Sequence, residues 1–154
     1  MIRIGLGRDI HRLAAGRRFL LGGAEIPFDK GETGHSDGDV LAHAVTDALL
    51  GAAGLGDIGE LYPDSDPAWK DADSLELLKH AWQKVRDEGW DLVNLDCVIT
   101  CDQPRILPHR QRICRTLAQA LGANADQVFV KGKTSEGLAD EDSVEALVVC
   151  LIQR

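Results

Sequence analysis

The sequence predicts a single α/β (α+β) domain over residues 1–154, built on a small mixed β-sheet with three main helices covering one face. Three observations lead to this prediction. Segments with apolar residues at every second position alternate with segments whose apolar residues recur at helical spacing. A hydrophobic fraction of 44% in 154 residues is enough for one core. The last predicted strand is apolar on both faces, as is typical of a strand at the centre of a sheet.

The first predicted strand covers residues 2–11 and divides its side chains between two faces. One face is apolar, and the other carries glycines followed by an acid and an imidazole: Ile2, Ile4, Leu6 and Ile10 against Gly5, Gly7, Asp9 and His11. The aspartate and the histidine of this D-x-H pair therefore share a face. Residues 18–28 predict a second strand region, interrupted at Gly22-Gly23, and a polar loop leads from it into the first helix.

The first helix is predicted to start at Ser36, because Ser36 and Asp39 resemble a capping box. Asp39, His43 and Asp47 lie at i, i+4 and i+8 along the edge of its apolar stripe. The free N–H groups of a helix start bind anions, so "HSDGD" can be interpreted as a phosphate site with His35 and Ser36 as further donors. Simple helix capping is the alternative interpretation.

The rest of the chain predicts two more helices and three strands. In order these are a turn-rich, acidic loop that we expect to be mobile (54–73), a helix after the cap Asp73 (about 74–88), a strand (91–102), a helix closed by Gly122 (about 109–121), a strand ("QVFVKG") and a final strand (144–152). Three helices cover one face of so small a sheet. The other face needs a cover as well, and an identical subunit is the simplest source.

The net charge and the cysteines indicate which classes of partner and which cellular compartment to expect. A formal net charge of −8 argues against a general nucleic-acid or anionic-membrane surface, so we expect neither nucleic acid nor membrane as a partner. The four cysteines form no C-x-x-C pair and follow no secretory leader, which predicts a reducing cytoplasm. A bacterial cytoplasm is favoured because no transit peptide is visible, and a plastid location would require that one had been removed.

The D-x-H pair indicates a metal site, because zinc accepts imidazole nitrogen and carboxylate oxygen. A third ligand must come from the remaining histidines, His35, His43, His80 and His109. His43 is favoured, since it follows the polar loop and is flanked by Asp39 and Asp47, which could orient its ring. Three protein ligands leave a fourth position for water or substrate, as in a catalytic zinc site. A chance D-x-H and a hydrogen-bonded histidine at the core edge are the alternative interpretation.

The segment "KGKTSE" (131–136) offers phosphate donors and one carboxylate at the end of a strand. It is not a Walker A motif, which needs glycine where Gln127 stands and a helix after the motif. Glu136 could bind a hard divalent cation. The alternative interpretation is a solvated strand end.

Three segments together resemble the 2-C-methyl-D-erythritol 2,4-cyclodiphosphate synthases of the non-mevalonate isoprenoid pathway: "RIGLGRDIH", "GHSDGDVLAHAVTDALLGAAGLGDIGELYPDSDP" and "QPRILPH". The likeness spans residue 2 to about 138. It implies a phosphorus-oxygen lyase that converts 4-diphosphocytidyl-2-C-methyl-D-erythritol 2-phosphate into the cyclic diphosphate and CMP, by attack of the 2-phosphate on the β-phosphate. It also implies a homotrimer with active sites at the subunit interfaces.

The resemblance implies a role for each matching residue. Zinc is implied at Asp9, His11 and His43, and a second divalent cation, Mg²⁺ or Mn²⁺, at Glu136. His35 and Thr134 are implied to stabilise the transition state. The implied substrate-binding residues are Asp9, Ile10 and His11; His35 and Ser36 for phosphate; Asp57, Ile58 and Gly59 for the ribose and erythritol region; Tyr62, Pro63, Asp64, Ser65 and Asp66 in a mobile loop; Cys101, Asp102, Gln103, Pro104, Arg105, Ile106 and Leu107 for cytosine, from a neighbouring subunit; and Lys133, Thr134, Ser135 and Glu136 for diphosphate.

The chain departs from the family pattern at two places. Lys133 stands where the family usually has threonine. After Glu136 the chain lacks the glycine-rich "GRGEG" element with its arginine and is acidic instead (Asp140, Glu141, Asp142 and Glu145), so we expect weak or absent binding of isoprenoid diphosphates in the trimer channel. Two other functions stay open: a non-catalytic zinc-binding trimer that senses a phosphorylated metabolite, and a zinc hydrolase with Asp39 as general base.

Overall fold

A computed structural model describes all residues from 1 to 154. The elements along the chain are β1 (Ile2–Ala15), β2 (Leu20–Leu21), β3 (Ala24–Glu25), β4 (Lys30–Glu32), α1 (Val40–Ala53), α2 (Ile58–Leu61), a 3-10 turn (Pro67–Trp69), α3 (Ser74–Asp87), β5 (Asp91–Thr100), a 3-10 turn (Leu107–His109), α4 (Arg110–Leu121), a 3-10 turn (Ala125–Gln127), β6 (Val128–Lys133) and β7 (Ser143–Gln153). The predicted α+β class with three main helices is confirmed.

The main sheet has the strand order β4-β1-β7-β5-β6, and β2 pairs with β3 in a separate hairpin. β5 and β6 run parallel and are joined through α4, whereas every other pair in the main sheet is antiparallel. The sheet is therefore mixed, as predicted. α1 packs on β1 and β7, α4 packs on β6, and α3 lies against both helices.

β1 is buried on its glycine face. A Cβ atom added to Gly7 would lie 1.8 Å from the carbonyl oxygen of Ala44, and one added to Gly5 would lie 1.8 Å from that of Ala48. Only glycine lets α1 approach the strand this closely. Further along the same face, Asp9 and His11 are half-buried and lie beside the side chain of His43.

β7 occupies the centre of the sheet, as predicted, but only one of its faces is covered within the chain. Its buried face carries Val144, Ala146, Val148, Cys150 and Ile152. On the opposite face, which we call the outer face, the side chains of Ile2, Ile4 and Leu6 from β1 and of Leu147 and Val149 from β7 are exposed, Ile4 to 71%. An apolar patch of this kind marks a surface that binds another protein.

The start of α1 differs from the prediction. The N-cap is Asp39, whose carboxylate accepts from the N–H of Ala42 at 2.9 Å, and the helix begins at Val40. Ser36 was predicted as the cap and instead lies in the preceding loop. The reason is tertiary: the buried carboxylate of Glu32 arrives from β4 and accepts from the N–H of Val40 at 3.2 Å.

Other elements follow the prediction with local changes. α3 begins after Asp73 and α4 ends at Gly122, both as predicted. A register shift between Leu92 and Asn94 makes Leu92 a buried residue of β5. The acidic loop contains α2 and a 3-10 turn. None of the helices combines the length and the apolar character that crossing a membrane requires.

Candidate functional site

Three side chains that sequence spacing linked to a metal converge at the edge of α1. The Oδ2 atom of Asp9 lies 2.9 Å from Nε2 of His11 and 3.0 Å from Nδ1 of His43, and the three ligand atoms all lie within 4.8 Å of one another. Ligands of a tetrahedral zinc ion at about 2.1 Å are roughly 3.4 Å apart. The triad of Asp9, His11 and His43 therefore has nearly the spacing that such an ion needs.

In each imidazole, the ring nitrogen that does not face Asp9 forms a hydrogen bond to a group outside the triad. Nδ1 of His11 lies 2.5 Å from the carbonyl oxygen of Gly38, which can only accept, so Nδ1 carries the proton and Nε2 is left with a lone pair. Nε2 of His43 lies 2.8 Å from the hydroxyl of Ser74, which donates to the carboxylate of Asp37. Nε2–H of His43 is therefore the donor, and Nδ1 faces Asp9 with a lone pair.

Three acceptors thus face one another at the centre of the triad. Two imidazole lone pairs and a carboxylate oxygen repel at these distances unless a cation or shared protons lie between them. When shared protons take that place, burial raises the pKa of the Asp9 carboxyl, but hydrogen bonds and charge from the protonated His11 and His43 outweigh it and hold that pKa well below its usual range. Burial lowers the pKa of His11, and the Asp9 carboxylate more than compensates, so the net shift is upward. This donor set fits zinc.

The residues that orient His43 are not the ones predicted. Asp39 is 1% exposed and its carboxylate accepts from the N–H groups of Gly22 and Gly23 as well as Ala42, while Asp47 accepts from the N–H of Ile58. Neither carboxylate bonds to the ring of His43. Ser36 and Ser74 contact its Nε2 instead, at 2.9 and 2.8 Å. The sequence signal for Ser74 was its place at the first position of α3, which indicated a helix end only.

A cavity of about 310 Å³ opens over the triad. Its lining includes the triad together with Gly34, His35, Ser36, Asp47, Ile58, Gly59, Tyr62, Asp64, Trp69 and Leu77. The Nε2 atom of His35 is buried and has no hydrogen-bond partner, so it is free to bind a ligand in the cavity. Two hydrogen bonds hold the side chain of Tyr62 in the lining. Its hydroxyl lies 3.0 Å from the carbonyl oxygen of Leu77 and 2.6 Å from Nδ1 of His80.

The start of α1 is not an anion site. Its first N–H groups are taken by the carboxylates of Glu32 and Asp39, both buried. Burial raises the pKa of both carboxyls, and each lies near further negative charge. The interpretation of "HSDGD" as a phosphate site formed by the helix N-terminus is therefore wrong, although His35 and Ser36 do line the cavity.

The segments implied for cytosine and diphosphate form a second, separate cavity of about 370 Å³ at the ends of β5 and β6. It is lined by Cys101, Asp102, Gln103, Arg105, Ile106, Leu107, Arg110, Gly132, Lys133 and Thr134. Ser135 donates to the carboxylate of Asp102 from its N–H and its hydroxyl, at 2.8 and 3.0 Å, which ties the two segments together. Sequence reasoning did not select Arg110, because it lies beyond the matching motif.

The remaining predicted residues line neither cavity. Asp57 and Asp66 cap short helices through their side chains, and the side chain of Ile10 lies on the outer face of β1. Glu136 accepts from the hydroxyl of Thr134 at 2.8 Å and stands apart from the triad. Pro63, Ser65 and Pro104 also lie outside both linings. Within one chain, the metal triad and the segments implied for the nucleotide are thus on different cavities.

Comparison with known proteins gives one consistent result. The model of the YgbB family matches residues 2–153. A 2-C-methyl-D-erythritol 2,4-cyclodiphosphate synthase of Treponema denticola is 51% identical, over 98% of this chain and 96% of that protein. The structure of a synthase of the same name in its CDP-bound form is 44% identical, has a TM-score of 0.92 and covers 98% of this chain and 100% of its own.

The structure of the bifunctional IspDF from Campylobacter jejuni is 41% identical with a TM-score of 0.95 and covers 99% of this chain, which spans 42% of that longer protein. Sequence and fold therefore agree over nearly the whole length of the chain. Together with the converging triad, these matches show that the chain belongs to the YgbB family.

Proposed function

We propose that this chain is a metal-dependent lyase that cyclises 4-diphosphocytidyl-2-C-methyl-D-erythritol 2-phosphate to 2-C-methyl-D-erythritol 2,4-cyclodiphosphate and releases CMP. The observation that carries the proposal is the triad of Asp9, His11 and His43 at the floor of a cavity. The names of the full-length relatives support it. In the reaction an oxygen of the 2-phosphate forms a bond to the β-phosphorus, and the bond from that phosphorus to the CMP oxygen breaks.

The chemistry needs no covalent intermediate on the protein. Its difficulty lies in holding two phosphate groups that repel each other in line and in spreading the charge that develops between them. When bound, zinc at the triad would supply a Lewis acid, and a second divalent cation at Glu136 would neutralise diphosphate charge. A single carboxylate suits Mg²⁺ or Mn²⁺, because these ions keep water and substrate oxygens as their other ligands.

Side chains of the chain itself hold the substrate. His35 has a buried Nε2 without a partner in the first cavity and donates a hydrogen bond to phosphate. Its neighbour Ser36, 7% exposed, lines the same cavity. On the second cavity Thr134 supplies a hydroxyl and Lys133 a positive charge for the diphosphate. His35 and Ser36 are desolvated and therefore stabilise charge more strongly than water does, whereas Lys133 and Thr134 are exposed.

The active site is completed by a second subunit in this proposal. The triad and the segment 101–107 lie on separate cavities of one chain, so a substrate that uses both must bridge two chains. The exposed outer face of β1 and β7 supplies the surface for assembly. We expect a homotrimer, and light scattering at working concentration tests this, because a monomer would leave each site incomplete.

Two rival functions predict different outcomes when the protein meets the substrate. A zinc hydrolase would need a base beside the metal, and Asp39 is excluded from that role because it is buried and its carboxylate is saturated by backbone N–H groups. A metabolite sensor would bind substrate without turnover. Phosphorus NMR of the purified protein with substrate, zinc and magnesium separates these functions. We expect CMP and a cyclic diphosphate; linear phosphates, or no product despite binding, would reject the proposal.

A further inference from the structure

The second cavity is positively charged in a chain of net charge −8. Three cationic residues line it, Arg105, Arg110 and Lys133. None of the three takes part in an ion pair, although six pairs between Lys or Arg and a carboxylate occur elsewhere in the chain. The one acid in the lining, Asp102, is engaged by Ser135. Three cationic side chains against one carboxylate leave the lining with a net positive charge.

Arg110 is held in place by an aromatic ring. Its guanidinium carbon lies 4.9 Å from the ring centroid of Phe129 on the neighbouring edge strand, β6. The Nε atom of Arg110 is buried and has no acceptor. The first turn of α4, which begins at Arg110, also contains no acidic residue. This contact partly orders the guanidinium before any ligand binds, although the ring of Phe129 is itself half-exposed.

A partly ordered guanidinium without an ion-pair partner binds a phosphate more strongly than it binds an uncharged nucleobase. Its planar fork donates two parallel hydrogen bonds to phosphate oxygens, and the charge-assisted bonds are roughly twice as strong as neutral ones. An ordered side chain also gives up less entropy on binding. Lys133 and Arg105 add charge to the same cavity, but neither is stacked on a ring.

We infer that Arg110, held on Phe129, is a phosphate-binding residue for the nucleotide part of the substrate. This inference rests on the proposed function, since it assumes that the second cavity receives a pyrimidine nucleoside diphosphate. Its ligand is the phosphate and not the base. The affinity for cytidine, which carries no phosphate, should therefore not depend on Arg110.

The test measures binding of CDP, and of cytidine by competition against CDP, to the protein loaded with zinc and magnesium. Arg110→Gln should weaken CDP binding at least about tenfold, since hydrogen bonds to charged groups are the stronger class, and leave cytidine unchanged. Arg115→Gln is the matched control, because Arg115 is exposed on the same helix and lies outside the cavity. The loss should shrink at high salt.

A second variant keeps the inference testable if Arg110→Gln folds poorly. Arg110→Lys retains the charge but not the fork, so CDP affinity should fall to a value between those of the wild type and Arg110→Gln. Unchanged CDP binding by both folded variants would overturn the inference. So would an equal loss for cytidine, or an equal loss in Arg115→Gln. Wild-type protein that binds no CDP would instead reject the proposed function itself.

Discussion

Nε2 of His43 lies 2.8 Å from the hydroxyl of Ser74, a residue 31 positions further along the chain at the start of α3. Ser74 in turn donates to Asp37, so its hydroxyl must accept from the imidazole. This contact sets which nitrogen of His43 faces Asp9. The triad of Asp9, His11 and His43 is therefore oriented by the packing of α3 against the polar loop.

Ser74→Ala should weaken metal binding about 10- to 100-fold, because partners that orient a ligating histidine contribute that much to metal affinity. Competition with a chromophoric chelator measures the affinity. Thr116→Ala is the hydroxyl control, since Thr116 donates only to the carbonyl oxygen of Arg112 on α4. Equal zinc affinity in wild type and Ser74→Ala would show that the serine does not orient His43.

Glu136→Gln should retain zinc and lose the dependence of activity on magnesium. Removing one carboxylate charge weakens a hard-cation site far more than it disturbs a zinc site with two imidazole ligands. Elemental analysis gives the zinc content, and a magnesium titration in the activity assay gives the dependence of activity on magnesium. A magnesium dependence equal to that of the wild type would remove Glu136 from the mechanism.

Gly7→Ala should lower the free energy of unfolding by about 1–3 kcal/mol or more, because the added methyl meets the backbone of α1, which cannot move aside locally. Gly51→Ala is the control within α1. A Cβ there meets nothing within 4 Å, and alanine in a helix should raise stability by about 0.5–1 kcal/mol. Urea denaturation of both variants tests the close approach of β1 and α1. A Gly7→Ala variant with an unchanged free energy of unfolding would contradict this close approach.

Glu32 should make stability depend on pH. Burial raises the pKa of its carboxyl well above the ordinary 4.5, and the charge of Asp39 adds to the effect, so the folded chain holds the proton more tightly than the unfolded chain does. The free energy of unfolding of the wild type should therefore fall, relative to Glu32→Gln, as pH rises above 4.5 through the raised pKa.

Glu88→Gln is the exposed control for this comparison. Denaturant titrations at several pH values give the three curves. Parallel curves for the wild type and Glu32→Gln would mean that the pKa of this buried carboxyl is the same in the folded and unfolded states.

Much of the fold was predictable because its signals are local. The alternation in β1 placed Asp9 and His11 on one face, and the helical spacing of α1 placed His43 at the edge of an apolar stripe. Caps at Asp73 and Gly122 gave helix ends that the structure reproduces. These features depend on residues within a few positions of one another.

The features that were missed depend on distant residues. Asp39 replaces Ser36 as the cap because Glu32 reaches Val40 from β4, and no local pattern contains that contact. Ser74 orients His43 across 31 positions. Arg110 reaches the second cavity because α4 packs beside β6. Tertiary packing overrides or adds to local preference at each of these places.

In the proposed reaction, one phosphate of the substrate attacks another within the same molecule, and water takes no part. Turnover in water enriched in oxygen-18, followed by mass spectrometry of both products, tests this most directly. Intramolecular attack predicts that neither CMP nor the cyclic diphosphate gains label during turnover. One labelled oxygen in either product would show that water is the nucleophile and would rule out intramolecular attack.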